Sequence, residues 1–238
     1  TFTGDVLSNA ATGQIYNNAT WNGDLMSNAG FVANQAGTWT GDFVNGSGGT
    51  ITNSATMNGA VSNAGIVNNL SGAQITGALN NQTSGSFARN FGTWTGAATN
   101  SGIINNESGA TWVGNGSNLV GATINNSGTW TGTISNAGTL NNTAGSTVSG
   151  LLTQTAGTTT NGGALNGGAN ITGGTLNSTG TILSGMTNSA TVNASGTLSG
   201  AVQNSGTMTA NGLIGNNTFT NSGTTATNGL IGRARSFA

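Results

Sequence analysis

Cysteine, histidine, lysine and proline are all absent from this chain of 238 residues. Without cysteine or histidine there is no disulfide framework, no thiolate nucleophile and no imidazole base. A zinc site of the usual nitrogen and sulfur type is excluded as well. Arg89, Arg233 and Arg235 are the only cationic side chains, too few to bind nucleic acid by neutralising phosphates. Charged residues make up 3% of the chain, against about 25% in an average soluble domain. No apolar run approaches the roughly 18 residues needed to cross a bilayer, so no transmembrane segment is expected. No signal peptide is read at the start, Thr1, which fits a processed product or an excised segment.

Low apolar content would suit a disordered chain, but disorder usually brings high net charge and proline. Here the net charge is −1 and proline is missing. Asn, Thr, Ser and 43 Gly dominate, and the apolar residues fall at regular places. Thr38-Trp39-Thr40-Gly41-Asp42-Phe43 is the clearest unit, with copies at Thr20-Trp21-Asn22-Gly23-Asp24-Leu25 and Thr129-Trp130-Thr131-Gly132-Thr133-Ile134. The lead positions Trp21, Trp39, Met57, Ile75, Trp94, Trp112, Trp130 and Val148 recur every 18 residues, with one step of 19. A fixed period of this length marks stacked repeats.

Within a unit the large apolar residues keep even spacing. Trp21, Leu25, Phe31 and Trp39 stand four, six and eight apart, and Trp39, Phe43, Ile51 and Met57 four, eight and six. Met57, Val61, Val67 and Ile75, and Trp130, Ile134, Leu140 and Val148, return to four, six and eight. Even steps hold side chains on one face of a strand, and the mixed threes and fours of a helix are not sustained. The spacing predicts an all-β fold, a three-sided parallel β-solenoid with about 18 residues per coil. Coils stack at about 4.8 Å, so about thirteen of them make a rod on the order of 60 Å long. A lone coil is not expected to fold.

The same parity places Trp39, Gly41 and Phe43 inward and Thr38, Thr40 and Asp42 outward. An inward Gly, repeated at Gly23, Gly59, Gly77, Gly96, Gly114, Gly132 and Gly150, would leave room for the lead side chain or let the backbone bend. The alternative is a corner that needs positive φ. Asn-rich corners such as Ser62-Asn63, Asn68-Asn69, Asn105-Asn106, Asn125-Asn126 and Asn141-Asn142 are expected to stack into amide ladders that satisfy corner carbonyls. Beyond Leu152 the pattern loosens, then returns with a step of 16 at Ile182, Leu198, Ile214 and Leu230. The organisation expected is a solenoid of 18-residue coils over 1–175, shorter coils on the same axis over 176–232, and a tail or cap at 233–238.

The repeats Asn-Ser-Gly-Thr-Trp-Thr-Gly at 126–132 and Ser-Asn-Ala-Gly-Thr-Leu-Asn-Asn at 135–142 resemble those of bacterial autotransporter passengers and haemagglutinin-like adhesins. The resemblance covers most of residues 1–232. It implies a secreted right-handed parallel β-helix displayed on the cell surface.

Three features carry candidate chemistry. Asp5, Asp24 and Asp42 occupy equivalent outward positions, with a spacing of about 5 Å if coils are in register. That spacing suits a cation site or the acid pair of a retaining glycosidase, and equally three solvated charges. No catalytic residue, cofactor or metal is assigned from the sequence. Thr20, Thr38, Thr56, Thr93, Thr111, Thr129 and Thr147 form an outward column broken only by Gln74. With Thr40, Thr95 and Thr131 two residues on, it resembles the flat faces of β-solenoid ice-binding proteins. Thr also simply favours exposed strands. The Trp column is read as core, with sugar stacking as the exposed alternative. Sequons such as Asn18-Ala19-Thr20 follow from the composition and do not establish glycosylation.

The function expected is non-enzymatic: the extracellular stalk or fibre subunit of a bacterial surface adhesin or filament, with a nearly uncharged surface. Its expected partners are further copies of itself, joined head to tail through uncapped ends, or cell-surface and glycan ligands. Ice binding and polysaccharide degradation are the alternatives.

Overall fold

The computed structural model describes residues 1–215, 218–229 and 235–237. They form an all-β solenoid of three parallel sheets. Each turn of chain contributes one strand to each sheet in order, as in Thr38–Thr40, Phe43–Asn45 and Thr50–Asn53. The first sheet has 12 strands, from Phe2–Thr3 to Thr197–Leu198. The second has 13, from Leu25–Asn28 to Arg235–Phe237, and the third 13, from Gln14–Asn17 to Thr224–Thr227. Strand partners always come from neighbouring coils, so one register rule repeats along the axis.

The lead column stacks in the first sheet: Trp21 pairs with Trp39, Trp39 with Met57, and so on through Ile75, Trp94, Trp112 and Trp130 to Val148. Trp39, Trp94, Trp112 and Trp130 are fully buried, and Trp21 is half-buried. Their rings lie face to face, with centroids 4.5 Å apart for Trp21 and Trp39 and 4.8 Å for both Trp94–Trp112 and Trp112–Trp130. Where three coils carry Trp, the opposing residues of the second sheet shrink. Leu79 is followed by Ala98 and Gly116 before Ile134 restores bulk. A Cβ on Gly116 would come within 2.7 Å of the Trp130 ring, so this Gly is the one that makes room for an indole.

The glycine after each lead residue does something else. Gly41 lies outside the strands, at the corner between Thr38–Thr40 and Phe43–Asn45. From Gly4 through Gly23, Gly41, Gly59, Gly77 and Gly96 to Gly114, φ lies between 142° and 156°, a range that side chains rarely adopt. A Cβ on Gly59 would sit 1.9 Å from the Gly41 carbonyl oxygen below it. The corner alternative therefore holds from Gly4 to Gly114 but not at Gly132 and Gly150, where φ is not positive, and the bend it allows turns the carbonyl toward the interior. Trp39 Nε1 donates to Gly23 O at 2.9 Å, Trp94 to Gly77 O at 3.0 Å and Trp112 to Gly96 O at 3.0 Å. A buried indole N–H needs such an acceptor.

One inward assignment changes. Val32 is buried and Phe31 points outward, half-buried, although Phe31 fits the even spacing. Leu25–Asn28 carries one residue more than Phe43–Asn45, and the ladder bulges between Leu25 and Asn28. An odd insertion reverses which side chain faces in.

The spacing also tightens in two stages. The lead column steps by 17 from Val148 to Leu165 and to Ile182, then by 16 to Leu198 and Ile214. The same three sheets continue across residue 175. Leu230 lies outside the described residues. In the segment expected to be a tail, Arg235–Phe237 runs as a strand beside Phe219–Asn221.

Candidate binding faces

Strands of the second sheet read apolar-x-Asn, as in Phe43-Val44-Asn45, and those of the third x-apolar-x-Asn, as in Thr123-Ile124-Asn125-Asn126. By parity the last Asn points inward with the apolar residue. Two buried amide columns result. In one, each Nδ2 donates to the Oδ1 of the next coil at 2.7–2.9 Å from Asn9 through Asn28, Asn45, Asn63, Asn81, Asn100 and Asn118 to Asn136, which donates to Gln154. The other runs from Asn17 through Asn34, Asn53, Asn69, Asn90, Asn106, Asn126 and Asn142 to Asn161. The second Nδ2 hydrogen reaches strand-end carbonyls, as from Asn118 to Thr139 O at 2.9 Å. Burying these amides is tolerable only because their donors and acceptors are met. Ile171 interrupts the first column, and Ser178 then Ala194 end the second. The expected ladders exist and satisfy strand-end carbonyls, and two of them run through the core.

The acids stand at the corner after the Gly column and are exposed. Asp5 Oδ1 accepts the Asp24 N–H, Asp24 Oδ1 the Asp42 N–H, and Asp42 Oδ1 the Ala60 N–H, each at 2.8 Å. Neutral Asn115 does the same for the Thr133 N–H at 3.1 Å. The carboxylates thus close a backbone corner. Among the described residues, no three His, Cys, Asp or Glu side chains are grouped so as to hold a metal ion.

On the outer face of the first sheet, Thr38, Thr56, Gln74, Thr93, Thr111, Thr129 and Thr147 are Cα partners in succession. Each Thr is half-buried, and Thr20 lies exposed just before the Trp21–Asn22 strand. Thr40, Thr76, Thr95 and Thr131 lie two positions on, with Asn22, Asn58 and Val113 intervening.

A longer column stands on the outer face of the third sheet. Thr123, Thr139, Thr158, Thr175, Thr191, Thr207 and Thr224 are partners without a break. Two residues on, a second column reads Asn125, Asn141, Thr160, Asn177, Asn193 and Thr209. The Thr steps are 16, 19, 17, 16, 16 and 17 residues. None equals 18, so a search at that period passes over the column. The alternating pattern Thr-apolar-Asn/Thr would have revealed it.

Earlier coils give the same sheet a different face. There the Thr positions are occupied by Phe31, Thr50, Ile66, Phe87 and Ile103. The Tyr16 and Phe31 rings lie 5.9 Å apart. Arg89 pairs with Glu107 at 2.6 Å and lies 4.5 Å from the centre of the Phe91 ring. From residue 108 to 232 no side chain is ionisable.

No family model, curated protein or solved structure matches the chain. Among the described residues no helix is long and apolar enough to cross a membrane.

Proposed function

We propose that this chain is a non-enzymatic structural segment of a bacterial extracellular fibre, the β-solenoid stalk of a surface adhesin or filament. The observation that carries the reading is the tie between coils. Sheet hydrogen bonds, two Asn columns and Trp-to-Gly bonds all run along the axis, the direction in which a stalk bears load. The repeat resemblance to autotransporter passengers supports the location. Engagement of one oxygen of each Asp by a backbone N–H supports a structural role for this column. Self-association belongs to the same reading, because the stacking rule that adds one coil would add a coil from another copy.

Antibody against the purified chain tests the location. The proposal expects labelling of intact, unpermeabilised source cells. Labelling that appears only after lysis would remove it. Size exclusion and negative-stain imaging at high concentration test self-association, and monomeric rods alone would contradict it.

The in-register Thr column of the first sheet favours ice binding as the second reading. Thermal hysteresis that disappears when Thr38, Thr93 and Thr129 are replaced by Tyr would establish it, and its absence in the intact protein would discard it.

A further inference from the structure

We propose that the outer face of the third sheet between Thr123 and Thr224 binds an extended, uncharged polysaccharide chain laid along the solenoid axis. The inference rests on the surface-fibre reading and names the ligand of one face.

The geometry of the face comes from the sheet. Rows repeat along the axis at about 4.8 Å, and the Thr and Asn columns stand about 6.6 Å apart, two residues along a strand. Each residue of an extended β-linked sugar chain advances by close to one coil spacing and is turned over relative to the one before. Every second sugar can therefore meet a hydroxyl and an amide of the face in the same orientation.

The amides are held ready for such contacts. Asn141 Nδ2 donates to Asn125 Oδ1 at 2.8 Å, and Asn125 Nδ2 donates to Asn105 Oδ1 at 2.9 Å. Asn193 Nδ2 donates to Asn177 Oδ1 at 2.9 Å. A primary amide has two N–H donors and two acceptor lone pairs. The column fixes the plane of Asn125 with one donor and one lone pair, and its half-buried amide has an N–H and a lone pair left to offer. A sugar hydroxyl donates and accepts together, so it complements that pair. The Thr hydroxyls add a parallel row with the same double capacity.

Charge complementarity selects the class. With no ionisable side chain between residues 108 and 232, an anionic or cationic partner would lose hydration and meet no counter-charge. A neutral, hydroxyl-rich chain has no such loss. A groove of about 220 Å³ beside the second column, lined by Asn177, Asn193, Thr209 and Asn211 among others, gives the chain an edge to lie in. Ice is also flat and neutral. The amides of the second column, each with an N–H and a lone pair beyond the ladder, favour a partner whose hydroxyl groups donate and accept together.

The test is retention of the purified chain on cellulose and chitin powders, measured at low and high salt. The intact chain is expected to bind at least one powder, equally well at both salts, since no ion pair is formed. Replacing Thr139 and Thr175 by Tyr keeps β-favouring residues on an outer face and blocks the row. Retention should fall about tenfold, the effect of losing one or two net hydrogen bonds. Asn141→Ala, which removes an amide from the second column, should weaken retention in the same direction. Thr111→Tyr on the first sheet should leave it unchanged. Unchanged far-ultraviolet circular dichroism and melting temperature in each variant report an intact fold. Failure of the intact chain to bind either powder would overturn the proposal, as would equal binding by the Thr139/Thr175 variant or retention abolished by salt. Thermal hysteresis without retention, lost in the Thr139/Thr175 variant, would hand the face to ice. Labelling of intact cells without retention would remove this ligand and leave the stalk reading in place.

Discussion

Replacing Asn118 by Ala tests whether the buried amide columns hold the coils together. Asn118 is 1% exposed. Its Nδ2 donates to Asn136 Oδ1 at 2.7 Å, to Thr139 O at 2.9 Å and to Ala122 O at 3.3 Å, and its Oδ1 accepts from Asn100 Nδ2 at 2.9 Å. Truncation removes all of these at once. Asn100 keeps other acceptors in Gly102 O and Thr123 O, and Asn136 Oδ1 keeps the Gly138 N–H. Ala122 O keeps the Thr139 N–H at 2.8 Å, so the desolvation penalty falls mainly on Thr139 O, which loses its side-chain donor. At about 1–3 kcal/mol for such a group, the variant should lose about 1–3 kcal/mol. Urea unfolding followed by tryptophan fluorescence measures the loss. Asn80→Ala, at an exposed position of the strand Leu79–Asn81 two coils back in the same sheet, is the control and should stay within about 0.5 kcal/mol of the parent. The chain contains its own comparison at Ile171, which fills one position of this column. There the neighbours are adapted: Gln154 turns its amide to Ala156 O and bonds Thr159. Asn118→Ile lacks those adaptations and should still be destabilising. Equal urea midpoints for Asn118→Ala and Asn80→Ala would refute the reasoning.

Other perturbations separate the remaining forces. Trp112→Ala empties a fully buried site and should cost about 3–5 kcal/mol by calorimetry or urea. Trp112→Phe keeps most of the apolar area but leaves Gly96 O without its 3.0 Å indole donor, and should fall between the parent and Ala. Gly77→Ala would place a Cβ 1.9 Å from Gly59 O, whereas at Gly72, with φ of 78°, a Cβ meets nothing within 4 Å. Gly72→Ala should therefore show backbone strain alone, about 1–2 kcal/mol, and Gly77→Ala a larger drop in melting temperature. Asp42→Asn preserves an Oδ1 for the Ala60 N–H and should leave stability nearly unchanged. Glycan-cleaving activity in the parent, measured as released reducing ends and lost in Asp24→Asn with Asp42→Asn, would instead support the hydrolase alternative.

The solenoid was legible in the sequence because its core signal is local. The Trp, Met and Ile column repeats at one period, and even spacing survives most of the length. Departures from the spacing have physical causes. Phe31 keeps even spacing yet faces outward because a bulge inserts one residue between Leu25 and Asn28, and parity does not reveal an insertion compensated within the coil. Gly41 fits an inward strand position by spacing, but its function lies in backbone φ and in a carbonyl offered to the next indole. Neither is encoded by a side chain. The Asn ladders are legible as corner features, but their burial is not, because burying an isolated amide is unfavourable. Only the neighbouring coil, with its matching amide, makes the burial sustainable. The Thr and Asn columns of the third sheet lie where the coils vary in length, so their alignment appears only once the strands are paired.

The account depends on successive coils stacking directly in register. Absence of cysteine from the whole sequence makes disulfide trapping a clean measurement of it. Thr111 and Thr129 are Cα partners on the outer face of the first sheet, about 4.8 Å apart across a parallel pair. A disulfide tolerates Cα separations of roughly 4.4–6.8 Å. Thr111 and Thr131 are offset by two residues, which puts them about 8 Å apart. Under mild oxidation, Thr111→Cys with Thr129→Cys should cross-link quickly within the chain, and Thr111→Cys with Thr131→Cys should stay reduced. Equal cross-linking of the two pairs, or preference for the offset pair, would contradict the stacked solenoid.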